Sequence, residues 1–398
     1  LLRPITGANE VALVVCYEIG EDHDPPGRSG LGHLVEHLYV TAPAGETRGR
    51  SAKAFFAKYP SGANAQTGDR FTLLAAVFPK DQLEAELRDA AARMGALQIN
   101  EGLLDRERQR VLQEVGNMFG NIPGLAARNH ARALVRPPSR GGRKGGLPAD
   151  LQAISRDDVN RHWADYYKPR NAILVLAGAI QPIEARRLVA EHFGRLPAGN
   201  APPVPSEPGR PKPAAIGAVS VKTDVPNARS ELCIAFAAPE PGTRPYPAFL
   251  VLAARLGAAS ANRPNAPNRP AMIFPLLDDP AALFITAPLD EGEPVDKAVA
   301  RLDSFVKETI ERKLTPADLA RTRQFYGSLL GTSAISDLFL ARNPYTTAFS
   351  LARREQLGLD AVQLDRAWSA LTDGDLRAAS DEVFAPSRRA AVAVKVAR

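Results

Sequence analysis

Cysteine, histidine, methionine and tryptophan are all scarce in this 398-residue chain, at two, six, three and two copies. Two cysteines, Cys16 and Cys233, exclude a disulfide framework as the source of stability. Each lies in an apolar, strand-like run, where a buried free thiol is the ordinary state. No stretch reaches the roughly 18 uncharged apolar residues that span a bilayer, and the longest apolar runs, 11–17 and 172–180, have strand length. A transmembrane segment is therefore not expected. A strong excess of one charge is lacking too, the net charge being +6. Its basic part gathers in 128–144, where Arg128, Arg132, Arg136, Arg140, Arg143 and Lys144 occur beside prolines and glycines, with no aromatic residue. A nucleic-acid surface would join such charge to aromatics or a known module. A solvated basic loop fits better, and no nucleic-acid partner is expected.

What is present suits a folded protein, with 45% hydrophobic and 24% charged residues, near ordinary values. The length asks for two or more domains of about 100–200 residues each. Prolines crowd residues 196–213, which favours an extended, semi-rigid connection over helix or central strand. The division expected is 1–197, a linker at 198–214, and 215–398.

The two halves repeat one another. Each opens with an apolar strand pattern, at 11–19 and 231–237, and each carries its cysteine there. An amphipathic helix follows, at 81–94 and 295–310, then another near 104–115 and 314–330. The ends match best. Ser155 with Asp158, and Thr372 with Asp375, read as helix N-caps with acid in the first turn. Tyr167 and Pro169 stand at the same offset from Phe384 and Pro386, and a terminal strand closes each half. The fold class expected is α+β: two duplicated α/β roll domains, each a mostly antiparallel sheet with helices packed on one face.

The chemistry-bearing residues lie in His33-Leu34-Val35-Glu36-His37, on a helix expected at 32–40 after a Gly/Pro-rich loop. Four residues apart on a helix, His33 and His37 project from one face, within reach of one ion. Zinc accepts imidazole readily, and its catalytic sites use three protein ligands and leave a position for water. Glu36, beside the pair, is placed to accept a proton from metal-activated water. A third ligand is needed. Glu107 and Glu114 sit seven apart on one helical face, near Leu104, Val111 and Val115. Such acids are expected to point inward, and a buried carboxylate needs a cation or donors. A lone HxxEH can arise by chance on a helix surface. Two of only six histidines falling in register with a glutamate make that poor company for coincidence.

The HLVEH motif, with 76 residues between His37 and Glu114, resembles the pitrilysin/insulinase family of inverzincin metallopeptidases. The resemblance implies zinc as cofactor, His33, His37 and Glu114 as its ligands, and Glu36 as catalytic base. It implies for Glu107 the acid that orients a ligand from behind, although a surface pair with Arg106 or Arg110 would also suit that residue. The segment from Gly62 to Thr67 resembles the family's substrate-binding edge strand, with Asn64 and Ala65 near the scissile bond; Ser-Gly-Ala-Asn is loop chemistry as well. Backbone pairing at a sheet edge makes peptide recognition loose in sequence. The implied activity is zinc-dependent endopeptidase, acting on peptides or unfolded segments.

One part of the family pattern is missing. Active members use an Arg and a Tyr seven residues apart to bind substrate and stabilise charge on the carbonyl oxygen. Arg263 and Arg269 are present, but no Tyr follows at that spacing, and Tyr326 and Tyr345 lie too far on. The expectation is a bacterial processing-peptidase-like subunit, active as a heterodimer with a related chain that lacks zinc and supplies the Arg and Tyr. The alternative is a zinc-binding but inactive scaffold subunit. A removed leader would imply the bacterial periplasm, and its absence the cytoplasm.

Overall fold

The computed structural model describes residues 1–135, 144–204, 216–223, 225–226, 228–261, 270–274, 276–277, 282–330 and 343–397. These form two compact units, each built on one five-stranded sheet. The strands are β1 (Leu2–Pro4), β2 (Glu10–Tyr17), β3 (Ala63–Thr67), β4 (Thr72–Pro79) and β5 (Ala172–Gly178), then β6 (Ile216–Val221), β7 (Glu231–Ala237), β8 (Ala271–Ile273), β9 (Ala282–Pro288) and β10 (Ala390–Val396). The first sheet runs β1-β5-β2-β4-β3 and the second β6-β10-β7-β9-β8. Strand for strand, the orders are the same. In each sheet the β1/β5 or β6/β10 pair is parallel and the other pairs are antiparallel. The mostly antiparallel α+β duplication read from the sequence is thus the observed fold.

The helices of the first half are α1 (Leu31–Thr41), α2 (Ala52–Lys58), α3 (Leu83–Gly95), α4 (Glu101–Gly116), α5 (Pro123–Val135), α6 (Pro148–Ala153), α7 (Arg156–Tyr166) and α8 (Pro182–Phe193). Those of the second are α9 (Tyr246–Ala261), α10 (Val295–Ile310), α11 (Pro316–Leu330), α12 (Pro344–Gln356), α13 (Ala361–Ala370) and α14 (Asp373–Val383). The expected capping boxes are present, Ser155 with Asp158 on α7 and Thr372 with Asp375 on α14.

After Glu10, β2 is apolar rather than alternating, because both its faces are covered. Helices were expected on one face of each sheet; the structure adds one to the other face. Ala12, Val14 and Cys16 pack with Ala348 and Ala352 of α12 in the first unit. Cys233, Ala235 and Val392 pack with Ala126, Ala127 and Ala131 of α5 in the second. The first unit therefore takes a helix from late in the chain, and the second takes one from early in it. Alanines on these helices let the backbone lie close to the strands. Both cysteines are buried and free, and burial pushes the Cys16 thiol up to about 12 and raises Cys233 as well. Most of the Pro-rich linker, the Arg263 and Arg269 region and much of the basic stretch 128–144 fall outside the described residues.

Candidate metal centre

α1 carries the motif and is held by opposite charges at its two ends. Its start follows Gly30, whose φ of 89° is left-handed; a Cβ there would lie 2.7 Å from the Gly145 carbonyl oxygen. Glycine is required on both counts. The Asp24 carboxylate accepts from the Gly30 and Gly32 amides at 2.7 and 2.9 Å, satisfying donors that a helix start leaves open. Burial raises the Asp24 pKa, while these amides pull it back. At the far end Arg93 donates to the Tyr39 and Ala42 carbonyls at 2.7 and 3.0 Å, and Arg50 to Val40 at 3.1 Å. Acid at the N-terminus and cations at the C-terminus both suit the helix dipole. Leu31, Leu34, Val35 and Leu38 are fully or almost fully buried. Tyr39 meets Tyr17 and Tyr167 with ring centroids 5.8 and 5.9 Å away. The helix has little freedom to turn.

Its polar face then has a fixed direction. The His33 and His37 rings lie 5.0 Å apart, centroid to centroid. Ligand atoms of His33, His37 and Glu114 lie within 4.8 Å of one another, the one such grouping of three or more metal-binding side chains among the described residues. Glu107 stands behind them with 2% of its surface exposed. Its Oε2 is 3.4 Å from His37 Nδ1, and both its oxygens accept from Arg110, at 3.0 and 3.2 Å. Glu107 is therefore not a surface residue: it is buried beside His37, although it does pair with Arg110. A proton on Nδ1 facing Glu107 leaves Nε2 as the lone-pair donor.

Glu114 differs from expectation. It is exposed rather than turned into the interior, as suits the last turn of α4, where a water-accessible carboxylate needs no buried counter-charge. Glu36 lies outside the trio but next to it on α1, buried, with its Oε2 accepting from Thr67 Oγ1 at 2.6 Å. Asn64 and Ala65 lie on β3, the last strand in the sheet order, paired on one side with β4. Thr67 ends that strand, so its hydroxyl joins the edge strand to Glu36. The sequence reading missed this contact, though strand alternation puts Thr67 on one face with Ala65.

Three of the other four histidines make contacts elsewhere. His23 bonds the Gly20 backbone through Nδ1, and His130 contacts the Phe119 carbonyl. His162 is buried against Tyr166 and Tyr167, and burial lowers its pKa to about 3, helped by His23. Burial also pushes the Glu21 carboxyl up to about 7, against the pull of Lys144 and His33.

The donor set suits zinc. Two imidazoles and a carboxylate, with Glu107 behind one imidazole, are the kind of donor set that three-ligand zinc sites use.

Comparison with known proteins agrees with the fold. Residues 153–326 match the family model described as the Peptidase M16 inactive domain. The chain is 28% identical over 193 residues to the zinc protease PqqE of Helicobacter pylori, covering 48% of this chain and 43% of that protein. It is 24% identical over 202 residues to a probable mitochondrial-processing peptidase subunit beta of Schizosaccharomyces pombe, covering 48% and 41%. The chain thus matches less than half the length of these curated relatives. Among solved structures, a protease from Helicobacter pylori superposes with a TM-score of 0.80 at 16% identity, covering 99% of this chain and 96% of that one. A peptidase M16 inactive domain from Pseudomonas fluorescens gives 0.75 at 15% identity, covering 100% and 95%. Residues 153–326 thus resemble an M16 domain, and the fold is that of M16 peptidase structures, in line with the resemblance read from the sequence. No helix among the described residues is long and apolar enough to cross a membrane.

Proposed function

We propose that this chain is a zinc-dependent endopeptidase subunit that hydrolyses peptides or unfolded segments. The observation that carries the reading is the convergence of His33, His37 and Glu114 with Glu36 beside them on α1. A zinc ion held there would supply a Lewis acid that acidifies water and polarises the scissile carbonyl. Glu36 accepts the proton of the attacking water and delivers it to the leaving amine. The exposed side of β3 pairs with an extended peptide backbone, and Asn64 and Ala65 set its register against Glu36. Glu107 holds the His37 tautomer that directs Nε2 outward.

The chain has no Arg and Tyr pair at the family spacing, so we assign it the catalytic half of a heterodimer. A related chain without the metal motif would provide those groups. The second reading, a zinc-binding scaffold without activity, is favoured by the match of residues 153–326 to a domain described as inactive. Retention of Glu36 favours the enzyme, since a scaffold needs no base beside its metal. Cleavage of a quenched fluorogenic peptide, assayed with the zinc-loaded chain alone and with its candidate partner, separates the readings. Turnover that requires the partner is the expected result. Turnover by the lone chain rejects the heterodimer, and none under either condition supports the scaffold.

A further inference from the structure

We propose that Thr67 is the positioning residue for Glu36, coupling the edge strand to the base; this rests on the reading of Glu36 as the proton-transferring group. The 2.6 Å contact joins two buried side chains, and a hydroxyl bonded to a carboxylate is among the stronger hydrogen bonds. Thr67 is itself firmly placed. It closes β3 and pairs with Thr72 of β4. The Thr72 hydroxyl donates to the Ile19 carbonyl at 2.9 Å and accepts from Tyr167 at 3.1 Å. The Thr67 methyl faces the preceding turn on the same side of α1: a Cβ at Gly32 would lie 3.7 Å from it. A β-branched side chain with methyl and hydroxyl both engaged has one rotamer available.

The consequence is geometric. Glutamate has three rotatable side-chain bonds, and a base that wanders loses the orientation on which proton transfer depends. Thr67 occupies Oε2 and leaves Oε1 for the water. Because Thr67 lies two residues beyond Ala65, the same strand that would register the peptide also fixes the base. Serine would keep the hydroxyl and lose the rotamer lock. Valine would keep the shape and lose the bond.

The test compares zinc-loaded wild type, Thr67→Val and Thr67→Ser, each also in a Glu36→Gln background, in the complex that cleaves the fluorogenic peptide. Thr67→Val is expected to lower kcat about 10–100-fold with KM and zinc content little changed. Thr67→Ser should recover most of that loss, and Thr67→Val should add nothing once Glu36 is Gln. A wild-type kcat in Thr67→Val, or an equal loss in the Glu36→Gln background, overturns the proposal. If Glu36→Gln itself leaves cleavage intact, the base assignment fails, and Thr67 loses its positioning role with it. If no cleavage is found at all, the peptidase reading fails separately, and crystal structures decide. Glu36 bonded to Thr67 in the zinc-loaded wild type, and rotated away in Thr67→Val, upholds the positioning role. Glu36 lying elsewhere in the wild type rejects it.

Discussion

α1 and α9 follow equivalent strands, β2 and β7, and are buried in equivalent ways, yet they carry different chemistry. α1 presents His33, Glu36 and His37, while α9 buries Tyr246, Phe249, Leu250, Val251, Leu252 and Leu256. The buried cation of α9, Arg255, binds the Arg312 and Lys313 carbonyls and Asp318, at 2.8, 2.9 and 2.9 Å. It ties helix ends together. The same strand order therefore carries His33, Glu36 and His37 on a helix in one unit and an apolar helix in the other. What the fold requires is covered sheet faces; what the site requires is a few side chains and their supports. The match to a domain described as inactive covers residues 153–326, most of which belong to the half without the motif.

The contrast between the halves can be tested by disturbing each support. The largest effect is expected at Glu107, which stands beside His37, one of the proposed ligands. Glu107→Gln should weaken zinc affinity about 10–100-fold, read by competition with a chelator, while folding persists. An unchanged affinity would reduce Glu107 to a salt-bridge residue for Arg110.

His162 on α7 comes next. Its counterpart by sequence offset on α14 is the buried Ala379. Burial holds the folded-state pKa of His162 at about 3, below the ordinary 6.5. The unfolded chain therefore binds a proton that the folded chain refuses. Stability is full above pH 6.5 and falls as pH drops toward 3, with a slope of about 1.4 kcal/mol per pH unit. His162→Leu should remove that component from urea-denaturation midpoints measured between pH 6.5 and 4. An unaltered slope would contradict the burial argument.

The smallest effect should be shared. Ser155→Ala and Thr372→Ala each remove one side of a capping box, and each should cost about 1 kcal/mol in chemical denaturation. Equal losses would sharpen the view that the halves differ in chemistry and not in local folding rules. A loss confined to one would break it.

Much of this was legible in the sequence because it rests on local physics. Capping boxes, the long apolar strands and the helix at Val295–Ile310 follow from spacing and residue type. The motif on α1 was visible for the same reason, four residues being about one helical turn. The exchange of α5 and α12 was not legible. Periodicity shows that a helix has an apolar face but does not say which sheet will cover it, and both helices meet similar small residues. Glu114 was read as interior because the apolar face of α4 continues past it to Val115; exposure there depends on where neighbouring elements stop. Thr67 was missed because a single threonine carries no pattern until strand and helix are brought together.

Zinc content tests the central claim most directly. The purified chain, dialysed against trace zinc and measured by inductively coupled plasma mass spectrometry, should hold close to one zinc. His33→Ala and Glu114→Gln should each lose nearly all of it while keeping the wild-type circular dichroism spectrum. A full zinc complement in the folded Glu114→Gln variant, or none in the wild type, would contradict the account.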